Sequence, residues 1–268
     1  MECFGLSQRR ACGLVAVSRT VIHYKARISE LNKTLRKRLH VLSAKHKRWG
    51  VWMMNRILRR EGFRVNHKRV ERLYRLEGLS LRIRQRKKIR SISRSDIPTA
   101  TQPNERWCMD FVHDKLWDGR QIRCLTLVDK FTRECLAIEV DISLGGERVK
   151  RVLERLATLR GLPKSITVDN GPEFISRVMD EWAYRNGVEL AFSRPGKPTD
   201  NAYIESFNGK FREECLNSHY FSTLSEARLI IENWRIEYNS VRPHRSLKGL
   251  TPDQALKNFN GITNLKVA

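Results

Sequence analysis

Three acidic residues carry the clearest chemical signal in this sequence. Asp110 lies within Trp-Cys-Met-Asp-Phe-Val, Asp169 closes Ile-Thr-Val-Asp, and Glu205 follows 36 positions later within Tyr-Ile-Glu-Ser-Phe. Carboxylates suit Mg²⁺, and two such ions about 3.5–4 Å apart can activate the entering oxygen at a phosphodiester and stabilise the leaving oxygen. These residue types therefore indicate metal-dependent phosphoryl transfer on nucleic acid.

Spacing alone does not select these three acids from their neighbours. Other carboxylates compete for the same role: Asp114, Asp118, Asp129, Asp141, Glu173 and Asp200. Asp129 is the strongest competitor, because it also ends an apolar run that is typical of a strand. A lone aspartate at a strand end more often forms a turn. At the level of spacing, the choice among these acids stays open.

Apolar alternation and turn residues predict a sheet in the second half of the chain. Strands are predicted over residues 107–116, 121–129, 134–141, 165–169 and 188–193. Helical periodicity predicts a helix that ends at Arg160, with an inner face from Val149 to Leu159, and a second helix over residues 172–186. The order of elements predicts an α/β fold with a mixed five-stranded sheet and flanking helices.

Glu205 falls on a helix predicted over residues 201–216. One face of this helix is apolar and should pack on the sheet: Ile204, Phe207, Phe211 and Cys215. Glu205 lies on a separate polar stripe, so we expect an exposed carboxylate on an anchored helix. Asn208 and Arg212 share that stripe and are predicted to contact DNA beside the carboxylate.

Positive charge is concentrated at the start of the chain. The formal net charge is +23, and residues 1–100 hold 27 Lys and Arg against 6 Asp and Glu, whereas residues 101–268 hold 25 against 23. A basic arm in front of a nearly neutral half predicts a polyanion-binding module joined to a second unit. The alternative from composition alone is a basic protein of ribosomal type.

A helix-turn-helix pattern lies within the basic arm. An apolar helical stripe over residues 51–60 is followed by a break, and Asn66 then caps a helix that Gly78 ends. Leu76 is assigned to the apolar side of this second helix, and Leu31 to that of a preceding basic helix over residues 28–46. The basic side of the second helix is predicted to enter a DNA groove through Lys68, Arg69, Arg72 and Arg75. The alternative is a plain three-helix bundle with a solvated basic face.

Further basic residues are predicted DNA contacts in two connecting segments. Arg86, Lys87 and Lys88 belong to a charged linker suited to lie along phosphates, and Lys197 lies in a Pro- and Gly-rich loop before Glu205. The predicted organisation is a basic helical segment at 1–46, a helix-turn-helix and linker at 47–95, a core at 100–216, and a C-terminal helix and tail at 217–268. Scattered cysteines and the absence of a long apolar run predict a cytoplasmic protein with neither structural zinc nor a membrane span.

Five ordered blocks between about Asn104 and Ala255 make the sequence similar to a known family. The blocks lie at residues 107–114, 127–134, 168–174, 201–208 and 238–247, and Thr251-Pro252 follows them. They resemble retroviral-integrase-like transposases of bacterial insertion sequences, most of all the second-reading-frame (OrfB) product. The segment that usually begins Tyr-Gly-Tyr-Arg reads Trp49-Gly50-Val51-Trp52-Met53 here, so its basic residue is absent.

The resemblance supplies the choice among the acids that spacing leaves open. It implies a ribonuclease-H-like core in which Asp110, Asp169 and Glu205 are the catalytic, metal-binding triad, with Arg212 as the family's basic residue after the glutamate. It implies two Mg²⁺ ions, for which Mn²⁺ is expected to substitute. It also implies double-stranded DNA as substrate, a homo-oligomer on DNA, and a first-reading-frame partner or frameshift fusion.

The sequence therefore predicts a DNA transposase that cleaves strands at element ends and transfers the freed 3′-hydroxyl to a target. Two alternatives are carried with it. One is a ribonuclease-H-like nuclease that hydrolyses without joining strands, and the other is a non-catalytic DNA-binding regulator of transposition.

Overall fold

A computed structural model of the protein describes residues 5–24, 29–82, 99–194 and 201–267. The chain begins with two short helices, α1 (Gln8–Leu14) and α2 (Arg19–Ile22). Ser18 caps α2, because its hydroxyl accepts a hydrogen bond from the backbone N–H of Thr20. No helix within the described ranges is long and apolar enough to cross a membrane.

Three helices then share one small hydrophobic core. They are α3 (Glu30–Lys45), α4 (Val51–Arg60) and α5 (His67–Leu76). The centre of that core is Leu35, Leu39, Trp49, Met54, Leu58, Val70 and Leu73. Asn66 caps α5 as predicted, and Gly78 follows it with φ +68°, which glycine adopts without strain. Leu31 and Leu76, both predicted to be on apolar faces, are exposed because they lie in the end turns of α3 and α5.

The predicted mixed sheet is confirmed. Its strands are β1 (Arg106–Lys115), β2 (Gln121–Asp129), β3 (Cys135–Asp141), β4 (Ser165–Val168) and β5 (Glu189–Phe192). Their order across the sheet is β3-β2-β1-β4-β5. β1, β2 and β3 pair antiparallel, whereas β4 pairs parallel with both β1 and β5. The first three strands thus form a meander, and β1 is the strand that joins it to the parallel part.

Helices cover both faces of this sheet. α6 (Gly146–Arg160) and α7 (Arg177–Asn186) share a core with the side of β1 that presents Trp107 and Met109. α8 (Ala202–Glu214) and α9 (Leu224–Ser240) pack on the side that presents Cys108 and Val112. This division follows from the two-residue alternation of a strand. A final helix, α10 (Pro252–Val267), follows α9.

Two predicted features of the covering helices are wrong in detail. Leu159, assigned to the inner face of α6, is 75% exposed because it lies in the last turn. α7 begins at Arg177 instead of residue 172. The residues before it form a turn, in which the backbone N–H groups of Phe174 and Ile175 both donate to the carbonyl of Gly171. Ser176 then provides the cap of the helix.

The last turn of α9 and the segment after it bind to β3 and α8. Asn239 exchanges two hydrogen bonds with the backbone of Cys135 at the start of β3. Arg242 pairs with Glu214 at the end of α8, with 2.8 Å between Nε and Oε2, and both side chains are more than nine-tenths buried. His244 is also buried, and this burial lowers its pKa to about 3, so its imidazole is neutral in the folded protein.

We expect Arg242→Met to lower the free energy of unfolding by about 3–5 kcal/mol, because it leaves the Glu214 carboxylate buried without its cation. The control is Arg228→Met. Arg228 is 45% exposed and pairs with Asp141, so its loss should cost at most about 1 kcal/mol. Urea unfolding followed by tryptophan fluorescence measures both variants. Equal costs for the two substitutions would contradict the role given to the buried pair.

Candidate active site

Asp110 lies in the middle of β1, between β2 and β4. Its register partner on β2 is Thr126, whose hydroxyl donates to the carbonyl oxygen of Asp110 at 3.0 Å. The Asp110 side chain is half-buried and points to the face that α8 covers. Its carboxylate accepts the backbone N–H of Phe111 at 2.7 Å. β1 therefore presents this acid from a rigid, central strand.

Asp169 is the first residue after β4, and parallel pairing brings it towards Asp110. The register joins Cys108 to Thr167, and two further steps along both strands place Asp169 beside Asp110. The Asp169 carboxylate accepts the backbone N–H of Gly171 at 3.1 Å. A Cβ at Gly171 would lie 3.0 Å from this same carboxylate and 3.2 Å from that of Glu173, so a glycine allows the tight turn.

Glu205 lies in the first turn of α8, and its side chain is exposed. The opposite face of this helix is buried through Ile204, Phe207 and Phe211, each at most 2% exposed. The helical periodicity predicted this arrangement of an anchored helix with an outward carboxylate.

The three acids lie near one another, because Asp169 follows the strand paired with β1 and Glu205 lies one helical turn before Asn208, which donates to Asp110. The pKa of Asp110 is raised to about 6, first by burial of the carboxyl group and then by the negative charges of Asp169 and Glu205. Hydrogen bonds from Phe111 and Asn208 act in the opposite direction, because they favour the charged form. The site therefore gathers negative charge from β1, the end of β4 and α8.

Asn208 connects α8 to Asp110. Its Nδ2 donates to the Asp110 Oδ2 at 2.9 Å, and its Oδ1 accepts from the hydroxyl of Thr126 at 2.9 Å. Arg212, one turn further along α8, donates to the carbonyl of His113 at 2.9 Å. Both residues were predicted to contact DNA, and the structure shows that each also joins α8 to β1. The contribution of Thr126 was missed, although counting outward from the Asp118-Gly119 turn would have placed it opposite Asp110.

Two of the competing acids, Asp129 and Glu173, are engaged by other groups of the fold, and Asp200 lies outside the described residues. Asp129 is fully buried and accepts backbone N–H groups from Asn104, Phe131 and Thr132, so it closes a turn. Glu173 lies near Asp169 but pairs with Arg123 at 2.6 Å. The structure thus supplies a physical reason for setting Asp129 aside, which spacing did not.

The predicted DNA contacts of the basic arm fall into three groups. Lys68 and Arg72 are exposed on α5. Arg69 instead donates to Asn32 and Ser29 of the α3 region, and Arg75 pairs with Glu71 at 2.6 Å. Arg86, Lys87, Lys88 and Lys197 lie outside the described residues.

The donor set suits a hard divalent cation, because Asp110, Asp169 and Glu205 offer carboxylate oxygens only. As placed, no three His, Cys, Asp or Glu side chains within the described part of the chain surround a single point closely enough to hold a metal ion. Like charges repel, and Asp169 and Glu205 are exposed side chains that can turn. The site is therefore chemically compatible with a cation but is not a preformed coordination shell.

Comparison with protein families divides the chain into the same parts as the structure. Residues 30–88 match the HTH-like domain, which spans α3, α4 and α5. Residues 100–198 and 186–252 match two descriptions of the Integrase core domain. The three proposed catalytic positions fall within the two integrase-core matches.

Curated relatives and a solved structure agree with these matches. The chain is 48% identical to "Insertion element IS407 uncharacterized 31.7 kDa protein" of Burkholderia multivorans, over 94% of this chain and 91% of that protein. It is 29% identical to "Putative transposase InsK for insertion sequence element IS150" of Escherichia coli, over 76% of each. The fold resembles a chain of the simian T-cell lymphotropic virus intasome, with a TM-score of 0.50 and 16% identity over 81% of this chain and 74% of that one.

We expect Asn208→Leu to raise the pKa of Asp110 above its value of about 6 in metal-free protein. The substitution removes an N–H donor that favours the charged carboxylate. Carboxyl ¹³C NMR titration measures this pKa, and Asn233→Leu at an exposed position of α9 is the control. An unchanged Asp110 titration in Asn208→Leu would show that the contact does not tune this acid.

Proposed function

The chain belongs to the insertion-sequence transposase family with a retroviral-integrase-like core, and we propose that it is an active DNA transposase. In this proposal it cleaves strands at the ends of its element and joins the freed 3′-hydroxyl to a target phosphodiester. The observation that carries the proposal is geometric: Asp169 directly follows the strand that pairs with β1, and Glu205 lies one helical turn before Asn208, which donates to Asp110.

Asp110, Asp169 and Glu205 are the residues proposed to hold two Mg²⁺ ions, or Mn²⁺ in their place. When bound, such ions make an attacking oxygen more nucleophilic and stabilise the departing one. The chain's own contribution is positioning. β1 fixes Asp110 at the centre of the sheet, Asn208 orients its Oδ2, and the turn at Gly171 presents Asp169.

The raised pKa of Asp110 bears on this proposal. With its neighbours charged and no cation present, part of Asp110 is protonated near pH 6. A divalent cation would favour the ionised form, because an opposite charge stabilises a carboxylate. Metal binding is therefore expected to release protons at mildly acidic pH.

Double-stranded DNA is the proposed substrate, at both the element ends and the target. The exposed Lys68 and Arg72 of α5 and the basic composition of the first hundred residues support DNA binding by the HTH-like unit. We further propose that the protein acts as a homo-oligomer in the bacterial cytoplasm, with a first-reading-frame protein as separate partner or fused segment.

We expect Asp110→Asn and Glu205→Gln each to abolish Mg²⁺-dependent strand transfer. The affinity for DNA should stay within about twofold, because it comes mainly from phosphate contacts made by other residues. The assay measures the joining of a pre-cleaved duplex to a supercoiled plasmid. The duplex has a free 3′-hydroxyl, and its sequence is taken from the DNA that flanks the gene. Asp118→Asn, in an exposed turn, is the matched control and should retain activity.

Two results would overturn the proposal in different ways. Hydrolysis of the duplex by the unaltered protein without any joined product would indicate a nuclease. If the unaltered protein bound DNA but Asp110→Asn and Glu205→Gln changed no activity, a non-catalytic regulator would be indicated.

A further inference from the structure

Helix α4 of the HTH-like unit is fastened to the loop that follows α9. Both terminal nitrogens of the Arg60 guanidinium donate at 2.8 Å, one to the carbonyl of Val241 and the other to that of Gly249. Burial lowers the pKa of Arg60, and the adjacent charge of Arg56 lowers it further. This contact holds two basic segments, distant in sequence, side by side.

Two guanidinium groups meet one aromatic ring at this contact. Arg56 of α4 lies 5.3 Å from the centroid of the Trp52 ring, and Arg245 of the loop lies 5.2 Å from the same centroid. We call Trp52, Arg56 and Arg245 the Trp52 junction. Stacking on an indole fixes the plane of a guanidinium while leaving its edge N–H groups available for other acceptors.

The loop backbone is shaped to admit Arg56. Gly249 has φ +92°, and a Cβ at this position would lie 2.9 Å from the Arg56 Nε and 3.1 Å from its Cδ. A glycine therefore allows the arginine to lie flat against the loop. This close approach indicates that the arginine side chain has a defined position against the loop.

The charges of the junction have no balancing carboxylate among the residues that the structure describes. Neither Arg56 nor Arg245 pairs with a carboxylate in the described part of the chain. Glu71 lines the same cavity as Arg56, and it pairs with Arg75 at 2.6 Å. Two like charges held around one ring favour an anion between or beside them.

An open cavity of about 410 Å³ adjoins the junction. Trp52, Asn55, Arg56, Arg59, His67 and Glu71 are among the residues that line it. The guanidinium of Arg56 therefore lies beside open space that a ligand could enter.

We propose that the Trp52 junction binds a backbone phosphate of double-stranded DNA. Guanidinium groups match phosphate oxygens in geometry as well as charge. Because Arg56 and Arg245 come from the HTH-like unit and the integrase-core segment, one phosphate would contact both units. This inference rests on the proposed function, since it takes the DNA substrate as its ligand.

The test is the salt dependence of DNA binding by the full chain. Fluorescence anisotropy with a random-sequence duplex, over a series of KCl concentrations without Mg²⁺, gives the slope of log Kobs against log salt. Arg245→Ala and Arg56→Gln should each reduce the magnitude of this slope. Because both side chains are proposed to contact one phosphate, the double variant should lose about 0.9 in total, the value for one lost phosphate contact. Thermal melting verifies that each variant is folded.

The control is Arg151→Ala, which removes the same charge from an exposed position of α6. If the slopes of Arg245→Ala and Arg151→Ala are equal, the phosphate assignment is wrong. A change in self-association, with the slope retained, would instead assign the junction to a second copy of the chain and would also overturn the proposal.

Failure of the proposed function gives a different pattern. If the unaltered protein shows no strand transfer but Arg245→Ala still lowers the slope, the junction remains a DNA contact and the transposase assignment fails. If strand transfer proceeds and the slope is unaffected by Arg245→Ala and Arg56→Gln, only the junction is refuted.

Discussion

Repulsion among three carboxylates is the constraint that the rest of the core has to meet. Asp110 is half-buried beside Asp169 and Glu205, and its pKa is raised first by burial and then by the charges of these two acids. Glu205 stays near Asp110 and Asp169 because α8 is packed firmly on the sheet. The aromatic face of α8 does this, because Phe207 and Phe211 pack among the rings of Trp234 and Tyr238.

The far end of α8 connects the acids to the DNA-binding part of the molecule. Glu214 pairs with the buried Arg242 and also accepts a hydrogen bond from the Trp49 indole at 3.3 Å. Trp49 in turn stacks on His46, at 3.7 Å between ring centroids. The HTH-like unit, the segment after α9 and the helix that presents Glu205 therefore meet at one carboxylate.

Periodicity predicted the parts of this fold that depend on near neighbours in sequence. The strand meander, the parallel addition of β4 and β5, and the buried face of α8 follow from two- and 3.6-residue repeats. Leu31, Leu76 and Leu159 were assigned to apolar faces in error, because a repeat does not show where a neighbouring element ends.

The site was less accessible to sequence reasoning, because its decisive contacts join distant residues. Spacing left Asp129 as a candidate, and a resemblance was needed to set it aside before the structure showed it bound to three backbone N–H groups. Asn208 reaches Asp110 across 98 positions, and Arg245 reaches the ring of Trp52. No repeat in the sequence encodes such pairs.

We infer that carboxylates from β1, the end of β4 and α8 form one divalent-metal site. Anomalous X-ray scattering from crystals grown with Mn²⁺ would locate that metal. Manganese peaks should be bound by the carboxylates of Asp110 and Asp169, with Glu205 in the same site, and these peaks should be lost in Asp110→Asn. Manganese bound away from these three carboxylates, or bound equally in Asp110→Asn, would show that they do not form the metal site.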